Sequence, residues 1–98
     1  MTQEMLKETY ENMQYITIPK TNKNRVHKCQ AWYEEIGNFI VLQSYDTIVA
    51  VYSKSERILY SFGRYSMTTY QHIRKFRNDY LPDMHNTKEI NCGFVNWF

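Results

Sequence analysis

Residues 38–62, NFIVLQSYDTIVAVYSKSERILYSF, decide the fold. Three runs rich in β-branched and aromatic residues stand in close succession there: Asn38–Ser44, Thr47–Ser53 and Arg57–Phe62. Such runs read as strands. The breaks between them are short. Tyr45-Asp46 closes the first connection, with Asp46 suited to bonding its own backbone, and Lys54-Ser55-Glu56 closes the second. A parallel crossover needs a dozen or more residues, so these connections predict antiparallel hairpins. Two of the runs are apolar on both faces. Phe39 and Val41 alternate with Ile40 and Leu42; Ile48, Ala50 and Tyr52 alternate with Val49 and Val51. The sheet therefore curls on itself, is covered on both faces, or meets a partner with one of them.

Upstream, Gly37 can supply a positive φ for a turn, and Lys28–Glu35 reads as a preceding strand. Tyr15–Ile18 reads as a further short strand stopped by Pro19, and Lys20–Arg25 (KTNKNR) as a polar loop. Thr2–Met13 shows helical spacing, with Met5, Leu6, Thr9, Tyr10 and Met13 on one side. Downstream, Thr68 and Gln71 fit a capping box that opens a helix over Thr69–Leu81, stopped by Pro82. Its inward stripe is Tyr70, Ile73, Phe76, Arg77, Tyr80 and Leu81, with Gln71, Arg74, Lys75 and Asn78 outside. Asp79 and Asp83 oppose the dipole at its C-terminal end. The final Ile90–Phe98 is strongly apolar and reads as a docked strand or clasp rather than an exposed hook. The fold class is α+β: an N-terminal helix, a mostly antiparallel sheet of four or five strands, and a C-terminal helix packed on the sheet. The length of 98 residues suits a single domain spanning the chain.

Composition narrows function by exclusion. Nine Tyr, five Phe and two Trp stand against four Leu and two Ala. Ile, Asn, Lys, Tyr and Phe together number 37, while Gly, Ala, Arg and Pro number 12, the skew of an AT-rich coding genome. The net charge of +2 is too small to announce nucleic-acid binding and argues against an acidic DNA mimic. No acid occurs from Asn12 to Tyr33 or from Arg57 to Asn78, and the two basic segments could meet as one positive face. Two cysteines and no leader-like apolar run suggest a reduced, cytoplasmic protein without a membrane span.

Catalytic signatures are weak. His27 and Cys29 with His85 and Cys92 match no zinc spacing, so no metal or other cofactor is expected. Cys29, His72 and Asp46 lack a local nucleophile motif. His72 reads as a half-buried structural residue bonded to a carbonyl or to the sheet. Isolated glycines build no phosphate loop. The chain is not expected to be an enzyme. Basic residues do interleave with aromatics at Arg57, Tyr60, Phe62, Arg64 and Tyr65, and at Tyr70, Arg74 and Arg77. That pattern can hold RNA or DNA, although Tyr60 and Phe62 share a strand face with Ile58 and read as core. Protein recognition is the rival, since Tyr, Trp and Arg dominate hot spots. Phe39, Tyr70, Phe76 and Tyr80 are needed as core. Tyr33, Tyr65, Trp97 and Phe98, with Trp32, have no obvious structural task.

One stretch carries a resemblance. LQSYDTIVAVY and ILYSFGRYSMTTYQHIRKF, between Leu42 and Phe76, resemble a family of small uncharacterised domains of phages and mobile elements. The shared positions are Ser44, Tyr45, Thr47, Val49 and Ala50, then Tyr65, Ser66, Thr68, Thr69, His72, Ile73 and Phe76. The resemblance implies a counter-defence protein of the anti-CRISPR kind, which binds a bacterial defence protein or ribonucleoprotein and blocks it without catalysis. The alternative is a small RNA- or DNA-binding accessory protein using the same basic, aromatic face. The candidate contact residues are Lys20, Lys23, Arg25, Lys28, Arg64, Tyr65, Arg74, Lys75, Trp97 and Phe98.

Overall fold

The computed structural model describes residues 1–81 and 86–96. Pro82, Asp83, His85, Trp97 and Phe98 lie outside the described residues. Helix α1 (Gln3–Met13) is followed by strands β1 (Ala31–Ile36), β2 (Phe39–Ser44), β3 (Thr47–Ser53) and β4 (Ile58–Arg64). Helix α2 (Met67–Tyr80) and strand β5 (Lys88–Asn96) complete the order. The strands lie in sequence order in one sheet, β1-β2-β3-β4-β5. The first three pairings are antiparallel, and β5 joins β4 in parallel. The α+β class, the N-terminal helix, the mostly antiparallel sheet and the second helix packed on it all match the sequence reading. The parallel pair follows from α2, which lies between β4 and β5 in the chain and serves as their crossover.

Both faces of the sheet are covered, which resolves the two-faced strands. On one face, Leu6 and Met13 of α1 pack with Ile18, Trp32, Val41, Ile48, Val51, Tyr60 and Phe62. On the other, Ile73 and Phe76 of α2 pack with Leu81, Val26, Ala31, Leu42, Val49, Ala50, Tyr52 and Leu59. Each fully buried aromatic or aliphatic side chain contributes about 1.5–3 kcal/mol, so neither layer is dispensable. The strict alternation expected of β3 is interrupted. Leu42 pairs Ala50 while Gln43 pairs Ile48, so Val49 is an extra, bulged residue. Val49 and Ala50 thus both join the α2 side, and Ile48 and Val51 both join the α1 side.

Three elements differ from the sequence reading. Tyr15–Ile18 forms no strand: Tyr15 is 90% exposed, and only Ile18 is buried. Its N–H is satisfied by the Gln43 side chain (2.9 Å) rather than by a ladder. β1 starts at Ala31, because Lys28 takes a positive φ (55°) in the preceding turn. The expected positive φ at Gly37 (58°) is present between β1 and β2. α2 starts at Met67 with Ser66 as its cap, whose Oγ accepts from the Thr69 N–H at 3.3 Å. The buried face of α2 is Thr69, His72, Ile73 and Phe76. Tyr70 lies outside that face and stands 51% exposed.

The outer edge of β1 is shielded by the loop before it. Val26 N–H donates to Ala31 O (2.8 Å) and Tyr33 N–H to Asn24 O (2.9 Å). Of the final segment, Ile90–Asn96 docks as part of β5, and its register with β4 slips between Ser61 and Gly63. Asn91 spans the slip, donating from Nδ2 to Gly63 O and accepting from the Gly93 N–H, each at 2.9 Å. No helix among the described residues is long and apolar enough to cross a membrane.

Candidate functional site

The first half of α2 is tied to the β2–β3 turn by a buried polar chain. Ser44 Oγ lies 2.8 Å from His72 Nδ1 and 3.1 Å from Thr69 Oγ1. The hydroxyl of the Ser66 cap donates to Thr69 Oγ1 at 3.4 Å. Ser44 and His72 are 3% and 4% exposed, so this Ser–His pair is closed to solvent and fixes α2 to β2. His72 bonding the sheet agrees with its expected structural role. Burial, and secondarily the charge of Lys75, hold its pKa below the usual 6.5. Low pH therefore favours the unfolded chain, which takes up a proton that folded His72 resists. Stability should be constant in this respect above about pH 7.5 and fall as pH drops through 6.5, by at most about 1.4 kcal/mol per pH unit. Urea denaturation across this range should show that slope for the wild type and a shallower one for His72→Gln. Parallel slopes would rule the effect out.

Large apolar side chains are exposed on both flanks of α2. The Tyr45 ring packs on His72, centroids 5.6 Å apart. Tyr45 has φ +53° in the two-residue β2–β3 turn, and Asp46 has no positive φ. A turn with positive φ at its first central residue alone favours glycine there. A tyrosine sits in that place, 48% exposed. Met67 and Tyr70 on α2 are 75% and 51% exposed. Tyr45, Met67 and Tyr70 thus account for three of the five large hydrophobic side chains exposed among the described residues, Met5 and Tyr15 being the others. Two hollows border the helix. One, about 230 Å³, is lined by Leu59, Ser61, Gly63, Tyr70, Ile73, Arg74, Glu89 and Asn91. The other, about 330 Å³, is lined by Met67, Tyr70, Gln71 and Arg74. Tyr70 and Arg74 form their common wall.

Residues 5–92 match a family of unknown function, DUF8033. The chain belongs to this family. No curated protein and no solved structure matches it significantly. The match spans α1 through most of β5 and includes both the buried Ser44–Thr69–His72 chain and the exposed Tyr45, Met67 and Tyr70.

The DUF8033 protein distributes the expected contact residues over separate places. Lys20 pairs with Asp46 (2.6 Å) and, like Arg25, stands over the Trp32 ring. Arg25 Nε also donates to Cys29 O at 2.7 Å. Lys23 and Lys28 are exposed in the same loop, along the β1 edge. Arg74 instead lines the hollow beside β5. Four strand spacings, roughly 19 Å, separate the two edges, so these groups do not merge into one positive face. Lys75 is exposed but lies on the His72 side of α2. Arg64 is exposed at the end of β4 and engaged by a neighbour.

The aromatics change places relative to expectation. Tyr33 packs on Phe76 and Tyr80 (6.0 and 5.1 Å between centroids), and Trp32 is 6% exposed. Tyr65 is half-buried against both core layers, and its hydroxyl has no hydrogen-bond partner among the described residues. Burial pushes its pKa upward. Tyr70, expected in the core, is exposed, and Tyr45 and Met67 join it. The signal for Tyr70 was helix phase: a stripe read through Thr69, His72, Ile73 and Phe76 leaves Tyr70 outside. Among the described residues, no three His, Cys, Asp or Glu side chains gather as a metal site.

Proposed function

We propose that this protein is a non-catalytic binding protein that docks on a protein partner across α2, through Tyr45 on its His72 side and Met67, Tyr70 and Arg74 on the other. The observation that carries this reading is Tyr45, an exposed aromatic held at a backbone position that favours glycine. Non-glycine residues in such conformations cost about 1–3 kcal/mol and concentrate at functional sites. Exposed Met and Tyr on one helix face add adaptable, low-entropy contact area. A bacterial defence complex is the partner class that the Leu42–Phe76 resemblance implies, with blockade rather than catalysis as the outcome. The test is capture from a bacterial lysate by the full chain, with Met67→Ala/Tyr70→Ala in parallel. We expect a defined defence component to be captured by the wild type and reduced tenfold or more by the double variant, the scale of about 1.4 kcal/mol or more for hot-spot loss. Equal capture by both proteins would remove the surface from consideration.

A further inference from the structure

We infer that the hollow between α2 and β5 receives an acidic side chain of the partner, with Arg74 as its counter-ion and the Met67–Tyr70 hollow taking an adjacent apolar side chain. The inference rests on the docking reading above and specifies what the surface recognises. Size is the first constraint. The hollow holds about 230 Å³, below the roughly 300–1,000 Å³ of small-molecule sites, so it suits one anchoring side chain.

Charge is the second. Arg74 is exposed and makes no ion pair among the described residues. The other charged wall, Glu89, already pairs with Arg77 at 3.2 Å, and Arg77 also donates to Thr87 O at 3.3 Å. The Asn91 amide is engaged at both ends by Gly63 and Gly93. Arg74 is thus the one uncommitted charge on the wall of the hollow. Leu59 and Ile73, 1% and 7% exposed, contribute an apolar lining. A charge pair next to apolar walls is screened less than one in open water, and guanidinium offers a carboxylate two parallel donors. From Arg57 to Asn78 the sequence has no acid, so no carboxylate along α2 up to Asn78 competes for Arg74.

A nucleic-acid backbone fits less well. Tight phosphate binding uses about 6–10 contacts to basic groups. On this flank the other arginine, Arg77, is already paired with Glu89. Lys75 lies beside His72, the lysines of the Lys20–Lys28 loop lie along the β1 edge, and Arg64 is engaged.

The test uses a display library of random dodecapeptides selected on the full chain. A labelled single-stranded oligonucleotide of mixed sequence is titrated in parallel. We expect enrichment of peptides with Asp or Glu close to an apolar residue. Their affinity should fall tenfold or more with Arg74→Gln and stay unchanged with Lys75→Gln. Arg74→Glu should instead select peptides carrying Lys or Arg, which a purely structural arginine would not do. Both positions are exposed on α2, and circular dichroism with a urea midpoint verifies folding of each variant. The inference is overturned by absence of enrichment, by enriched peptides without acids, or by affinity indifferent to Arg74. Tighter, Arg74-dependent binding of the oligonucleotide overturns it in favour of nucleic acid. A lysate partner that needs Met67 and Tyr70 but ignores Arg74→Glu would leave the docking reading standing and this inference refuted.

Discussion

Gly63→Ala should cost roughly 3 kcal/mol, at the upper end of overpacking effects. In a chain of this length that lowers the melting temperature by roughly 12–24 °C. The reason is backbone against backbone. A Cβ on Gly63 would stand 2.0 Å from Val95 O, 2.6 Å from Val95 N and 2.7 Å from Val95 C. No side-chain rotation relieves that, so β5 itself must move. β5 carries Ile90, Cys92, Phe94 and Val95 against the α1-side core. It also holds Gly63 O through Asn91 Nδ2. A shift therefore weakens packing and a hydrogen bond together. Gly37→Ala is the useful comparison. It meets nothing within 4 Å but has φ +58°, so it should cost only about 1–2 kcal/mol from left-handed strain. Urea denaturation of both variants measures the difference. A Gly63→Ala midpoint matching the wild type would mean that β5 is not held as described.

The hairpin ladder was legible because its information is local. Asn38–Ser44, Thr47–Ser53 and Arg57–Phe62 are each β-rich and separated by connections too short for a crossover. The parallel partner of β4 was not, because strand direction depends on where α2 returns the chain. The bulge at Val49 was hidden for a related reason: Ile48–Tyr52 is apolar throughout, so no polar residue within it marks the broken alternation. Tyr15–Ile18 failed as a strand because its one buried amide is satisfied by a side chain 25 positions away in sequence.

The candidate surface was partly legible. Ser44, Tyr45, Ser66, Thr69 and His72 stood in the quoted motifs, and the fold joins them where the β2–β3 turn meets α2. Arg74 was also named from sequence. Tyr70 was assigned inward because apolar spacing alone set the stripe; the face that meets the sheet is turned by one flank and includes the polar Thr69 and His72, which bond Ser44. Charge counting could not place the Lys20–Lys28 loop, since the loop's position depends on pairing with the β1 edge through Asn24, Arg25 and Val26.

Gln43→Leu should cost about 3 kcal/mol, because it strips partners from two backbone groups at once, each worth about 1–3 kcal/mol when buried. Gln43 is 1% exposed within β2. Its Oε1 accepts from the Ile18 N–H at 2.9 Å, and its Nε2 donates to Tyr45 O at 3.0 Å. Leucine fills a similar volume and makes neither bond. Ile18 has no exposed surface, so its N–H bears the larger penalty. The Tyr45 carbonyl, only partly buried, recovers some of its loss from water. The two bonds differ in what they hold. The first pins the segment between α1 and the Lys20–Lys28 loop, so amide exchange at Ile18 should accelerate well beyond that at β3 amides such as Val51. The second steadies the turn in which Tyr45 keeps its positive φ. Folded Gln43→Leu should therefore bind peptides selected on the wild type more weakly, although Gln43 itself is buried away from the surface. If Ile18 exchange accelerates and binding is untouched, the turn is held by its strand pairs and the Tyr45–His72 contact alone. If neither changes, the side chain of Gln43 is not the link between the connector and the turn.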